Sequence, residues 1–74
     1  MDKDIKSIMK RFATERKKFG TQEKVAEIVG INAKTISAFE NGRRTPSLLT
    51  FLKMCDAINA DMNYILEIER EDKV

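Results

Sequence analysis

Between the apolar group Val25, Ala26, Ile28 and Val29 and the next apolar pair, Ile36 and Phe39, the chain has only Gly30-Ile31-Asn32 in which to turn. No other feature restricts the fold as strongly. Gly30 adopts at low cost the positive φ that ends a helix. Asn32 is suited to cap the helix that follows, with its side chain accepting a backbone N–H of the first turn. The pattern therefore predicts two helices of about two turns each, over about 22–29 and 33–41, with Gly42 closing the second. Helices this short, joined this tightly, must cross steeply rather than lie side by side.

Two helices at a steep angle joined by a Gly-containing turn form a helix-turn-helix unit. The flanking sequence supplies the rest of a small all-α domain. Ile5, Ile8, Met9, Phe12 and Phe19 recur at helical spacing, which predicts a first helix over about 4–18 ended by Gly20. Thr21 is the expected N-cap of the second helix, with Glu23 favourably placed against the dipole in its first turn. Thr45-Pro46 is expected to open a fourth helix as N-cap and N1, with Leu48, Phe51, Leu52, Met54, Cys55 and Ile58 as its inward stripe. Asn59-Ala60 is expected to form a corner, and Asp61 to cap a fifth helix carrying Met62, Ile65, Leu66 and Ile68.

The expectation is thus one five-helix domain over 1–74, with its core within about 5–68 and a charged tail at 69–74. At 74 residues the chain is near the lower limit for folding on one core, so a second subunit would add useful stability.

Composition bounds the function. The chain has no His and one Cys, which leaves no zinc site of ordinary type and no internal disulfide. Ser7, Ser37 and Ser47 have no histidine to activate them, so an enzyme is not expected, nor a cofactor. The apolar runs are too short for a membrane span and the N-terminus is charged, which suits a cytoplasmic protein. Net charge is only +2, but it is unevenly spread: residues 1–20 carry seven basic and three acidic side chains, and residues 45–74 carry three and six. A polyanion should therefore meet the front half.

The stretch TQEKVAEIVGINAKTISAFENGRRTPSLLTFLKMCDAINADMNYIL resembles the Cro/C1-type (lambda-repressor-like) helix-turn-helix proteins of phage and bacteria. The resemblance rests on Gln22-x-x-x-Ala26, the Gly30 turn, the run Ile36-Ser37-x-x-Glu40-x-Gly42-x-Arg44-x-Pro46, and the later Ala57-Ile58-Asn59-Ala60-Asp61 segment. It implies five helices with the third in the DNA major groove and the second crossing the backbone. It also implies roles for particular residues. Ala33, Lys34, Thr35, Ser37 and Ala38 would face the bases, while Gln22, Asn41, Arg43 and Arg44 would reach phosphates. The junction KKFG-TQ is one residue shorter than the common form. With that gap, Arg16 occupies the position whose arginine pairs with the glutamate late in helix three, here Glu40, and would also turn toward a phosphate.

Those roles suit the side chains. Lys can donate to guanine O6 and N7, and the methyls of Thr and Ala can pack on thymine. With Lys34 the one long polar side chain among the readers, apolar contacts, water and DNA shape are expected to contribute. The aromatic residues Phe12, Phe19, Phe39 and Phe51 sit at helical spacing and are read as core, not as base-stacking platforms. The basic residues Lys6, Lys10, Arg11, Lys17 and Lys18 of helix one are read as a solvated face.

One short recognition helix contacts few base pairs, so a homodimer on two half-sites is expected, its seam drawn from Leu49, Met62, Tyr64, Ile65 and Ile68. The implied function is a sequence-specific transcriptional regulator of double-stranded DNA, a repressor on a palindromic operator, with room for a regulatory protein partner. Alternatives of the same fold are an antitoxin or a restriction–modification controller. A third is a protein-interaction module that has lost DNA binding. Intact Gln22, Lys34, Asn41, Arg43 and Arg44 speak against it.

Overall fold

Side-chain caps set where the chain becomes helical. The computed structural model describes residues 4–67, in five helices: α1 (Ile5–Phe19), α2 (Gln22–Val29), α3 (Ala33–Glu40), α4 (Leu48–Ala57) and α5 (Met62–Leu66). Each begins on a side chain that accepts a backbone N–H of its own first turn, satisfying a donor the helix cannot. The caps are Asp4, Thr21, Asn32, Ser47 and Asp61, with bond lengths from 2.7 Å at Asn32 to 3.2 Å at Asp61.

Three of the helix ends share one device. At Gly30 (φ 87°), Gly42 (φ 79°) and Asn59 (φ 52°) the backbone turns left-handed. The next N–H then reaches back five residues: Ile31 to the Ala26 carbonyl, Arg43 to Ala38 and Ala60 to Cys55, at 3.0, 2.9 and 3.0 Å. This is the Schellman closure, and it reverses the chain within a residue or two. Asn59 can stand where Gly is usual because asparagine visits this region more readily than most side chains.

The start of α4 differs from the expected one. Ser47, not Thr45, is the N-cap, and Pro46 lies before the helix. Ser47 wins because its hydroxyl both accepts the Thr50 N–H and donates to Thr50 Oγ1 at 3.0 Å. Phe51, Met54, Cys55 and Ile58 face inward, whereas Leu48 and Leu52 lie on the outside, against the expected stripe. Ile28 of α2 is likewise exposed, whereas Val25 and Ala26 are buried.

The core is formed by Ile8, Met9 and Phe12 of α1, Val25 and Ala26 of α2, Ile36 and Phe39 of α3, the inward face of α4, and Ile65. Helix α1 packs against α3 and α5, and α2 against α3 and α4. Ala26 is buried on the inner face of α2. Residues 69–74, the expected charged tail, lie outside the described residues, as does Ile68.

Candidate nucleic-acid interface

Helix α3 has an apolar inner face, Ile36 and Phe39, that anchors it, and an outer face available to a partner. Lys34, Ser37 and Asn41 follow at spacings of three and four and so share that outer face. Lys34 and Asn41 are exposed and Ser37 is half-buried, with Asn41 Nδ2 donating to Ser37 Oγ at 3.2 Å. Thr35, half-buried, flanks this row.

Two expected base-facing residues sit differently. Ala38 is only 8% exposed, because the chain reverses over it after Gly42 and both Arg43 and Arg44 donate their N–H groups to its carbonyl. It has no surface to offer a base. Ala33 is partly buried and packs against the core. Lys34 is thus the exposed member of the expected readers, and Ala33, Thr35 and Ser37 are each half-buried.

Arg43 and Arg44 are exposed on the turn that leaves α3. The Arg44 guanidinium lies over the Phe39 ring, 5.8 Å from its centroid, which orients its stem along the domain.

Behind α3 a buried polar node ties three helices together. The carboxylate of Glu40 accepts from Arg16 Nε at 2.9 Å, Arg16 Nη2 at 2.8 Å and Gln22 Nε2 at 2.9 Å. Arg16 Nη1 donates to the Gly20 carbonyl at 3.1 Å, closing the shortened junction between α1 and α2. The Arg16 and Glu40 side chains are 9% and 6% exposed. The bond to Glu40 holds the guanidinium above its ordinary pKa, while burial pulls the other way.

The expected Arg16–Glu40 bridge thus forms, and Glu15 stays clear of it, bound instead to Lys18 and the Asp61 N–H. The Arg16 guanidinium, expected also at a phosphate, lies mostly buried at the wall of the neighbouring groove, and each of its nitrogens donates one bond within the protein. Gln22, expected at a phosphate, has one amide N–H committed to Glu40.

Once α2, the Gly30 turn and α3 are seen to carry this arrangement, comparison with known proteins settles its kind. The profile of the family described as Helix-turn-helix matches residues 13–65. The chain belongs to that family. It is 41% identical over 58 residues to the uncharacterized HTH-type transcriptional regulator YgzD of Bacillus subtilis (strain 168), covering 77% of this chain and 88% of that protein. Its structure is similar to the crystal structure of the restriction-modification controller protein C.AhdI from Aeromonas hydrophila. The TM-score is 0.74 at 25% identity, over 84% of this chain and 96% of the other.

This helix-turn-helix protein also carries an apolar surface away from α3. Leu48, Leu49 and Leu52 on α4 are 73%, 62% and 47% exposed, and Tyr64 on α5 is exposed as well. Leu52 and Met62 line a shallow groove of about 220 Å³ between the two helices. Of the residues expected at a subunit seam, Leu49 and Tyr64 are on the surface and Met62 is half-buried against the core. Ile65 is corrected: it is fully buried in the core and cannot meet a second subunit. Ile68 lies outside the described residues. The exposure of Leu48 and Leu52 is not visible in the apolar spacing of α4, which places both beside Phe51 and Cys55.

Cys55 is buried at the edge of the same groove, and burial pushes its thiol up to about 11. Among the described residues no three His, Cys, Asp or Glu side chains converge to hold a metal ion. No described helix is long and apolar enough to cross a membrane.

Proposed function

We propose that this chain is a sequence-specific regulator of transcription that binds double-stranded DNA, and that it acts as a repressor, a homodimer on a palindromic operator in the cytoplasm. The observation that carries the reading is the outer face of α3. Lys34, Thr35 and Ser37 project from a helix held at both ends by the Asn32 cap and the Gly42 closure. Arg43 and Arg44 follow at once, where backbone phosphates flank a helix seated in the major groove. Lys34 can donate to guanine, the Thr35 methyl can pack on thymine, and Gln22, Asn41, Arg43 and Arg44 set the register through phosphates.

The buried node gives these readers a fixed platform, because Glu40 holds the C-terminal end of α3 to α1 and to the start of α2. The homodimer reading is supported by the exposed Leu48, Leu49 and Leu52, whose burial in a seam would remove apolar surface from water. One pair of recognition helices would then sit about 34 Å apart, matching one DNA turn. The likeness to C.AhdI supports a second reading within the same chemistry, a restriction–modification controller, which differs in the genes controlled.

Selection of bound duplexes from a random library at moderate salt tests the proposal. A two-fold symmetric motif with half-sites about one turn apart is the expected product. Recovery of duplexes without any shared motif would remove sequence specificity. A complete lack of binding would leave the protein-interaction reading in its place.

A further inference from the structure

The basic residues of α1, a uniform charged face in the sequence, divide sharply in the structure. Arg11 pairs with Glu67 at 3.5 Å, Arg16 with Glu40, and Lys18 with Glu15 at 3.3 Å. Lys10 and Lys17 are exposed and have no carboxylate partner among the described residues.

Both line one groove of about 530 Å³, where α1, the start of α2 and the end of α3 meet. Thr14 lies between them, and Gln22 and Asn41 border the same groove. Lys10, Thr14 and Lys17 follow at spacings of four and three and so share one face of the helix.

Three further features suit this groove to an anion. Its one lining carboxylate, Glu40, is buried and held by Arg16 and Gln22, so it exerts little repulsion. The groove opens beside the N-terminal end of α2, which begins at Gln22 and carries partial positive charge. Finally, Asn41 belongs both to the groove and to the outer row of α3, through its bond to Ser37. A strand of DNA passing that row is led directly into the groove.

We infer that Lys10 and Lys17 of α1 bind a backbone phosphate of the DNA in this groove, extending the contact surface beyond the helix-turn-helix unit. The inference rests on the DNA-binding reading above. A phosphodiester is the matched ligand because two flexible ammonium groups supply charge without a fixed geometry, and the amides of Gln22 and Asn41 supply hydrogen-bond donors. Such contacts add affinity and register but read no base.

The test measures DNA affinity across a salt series for the unaltered chain, for Lys10→Gln/Lys17→Gln, and for Lys10→Arg/Lys17→Arg. Lys53→Gln, an exposed lysine on α4, serves as control. Losing the one phosphate held by this pair should lower the slope of log K against log salt by about 0.9 and weaken binding at moderate salt by roughly an order of magnitude. The loss should be equal on operator and random duplexes, the arginine variant should restore the slope, and the control should leave it unchanged. All three lysine sites are solvent-facing, so thermal unfolding should not move.

A double variant that keeps the parent slope while the parent binds DNA overturns this inference and leaves the functional reading intact. A loss confined to operator DNA also overturns it, since that would mean base contact. If the parent itself binds no DNA, both fall.

Discussion

The α2–α3 unit and helix α4 are built with the same local devices and face the solvent in opposite ways. Each helix starts on a side-chain cap and ends on a left-handed residue whose successor closes back to the last turn. On α3 the apolar residues go inward and the outer row is Lys34, Ser37 and Asn41. On α4 the inward residues are equally apolar, yet Leu48, Leu49 and Leu52 remain outside. Capping decides where a helix begins and ends, and says nothing of what its outer face is for. A polar face gives up water readily to a partner that replaces its hydrogen bonds. An apolar face gains about 25 cal/mol for each Å² taken out of water. The small domain thus offers two docking chemistries, one for a polyanion and one for apolar surface.

Four substitutions would break or sharpen that contrast. The largest effect is expected from Glu40→Ala, which leaves Arg16 buried and unpaired and should cost about 3–5 kcal/mol in denaturant unfolding. A variant with unchanged midpoint would show that the polar node does not hold the α2–α3 half together. Next comes Leu49→Lys, which should scarcely alter the stability of the monomer. It should shift the sedimenting species to the monomer and weaken operator binding at least tenfold, equivalent to about 1.4 kcal/mol. Retention of both mass and affinity would make the α4 face something other than a subunit seam.

Lys34→Ala should lose about 1–3 kcal/mol of discrimination at one base pair in each half-site, read by binding to a panel of operator variants. An equal loss on every variant would demote Lys34 to a phosphate contact. The smallest change is expected from Arg43→Ala, which should weaken all sequences alike and reduce the salt slope by about 0.9. A changed base preference would instead make this turn a reader.

Much of the architecture was legible because it is written in local signals. The Gly30 turn, the caps Thr21, Asn32 and Asp61, the αL corner at Asn59 and the pairing of Arg16 with Glu40 all follow from residue type at short range or from the resemblance. The start of α4 differs from the expected one because Thr45-Pro46 and Ser47 are rival signals two residues apart. Only the double hydrogen bond with Thr50 separates them. A small apolar side chain such as Ala33 or Ala38 carries no sign of its own direction, and for Ala38 the reversal after Gly42 decides the burial. Ile65 shows the same limit from the other side, since periodicity marks it as apolar without saying which neighbour covers it.

The grooved face of α1 was closer to legible. Lys10 and Lys17 have no acidic residue three or four positions away on either side, whereas Lys18 has Glu15 and Arg11 has Glu15. That difference marks the first two as charges without a local partner.

The node of Arg16, Glu40 and Gln22 also constrains how such a sequence can change over generations. Losing either member of the ion pair alone strands a charge in a site with almost no access to water. Replacing both by apolar residues of similar volume can be neutral or favourable, as for other buried pairs. The two positions, twenty-four residues apart, are therefore joined by a valley that single steps must descend into. Descendants of this chain should be found on one rim or the other, holding both charges or neither.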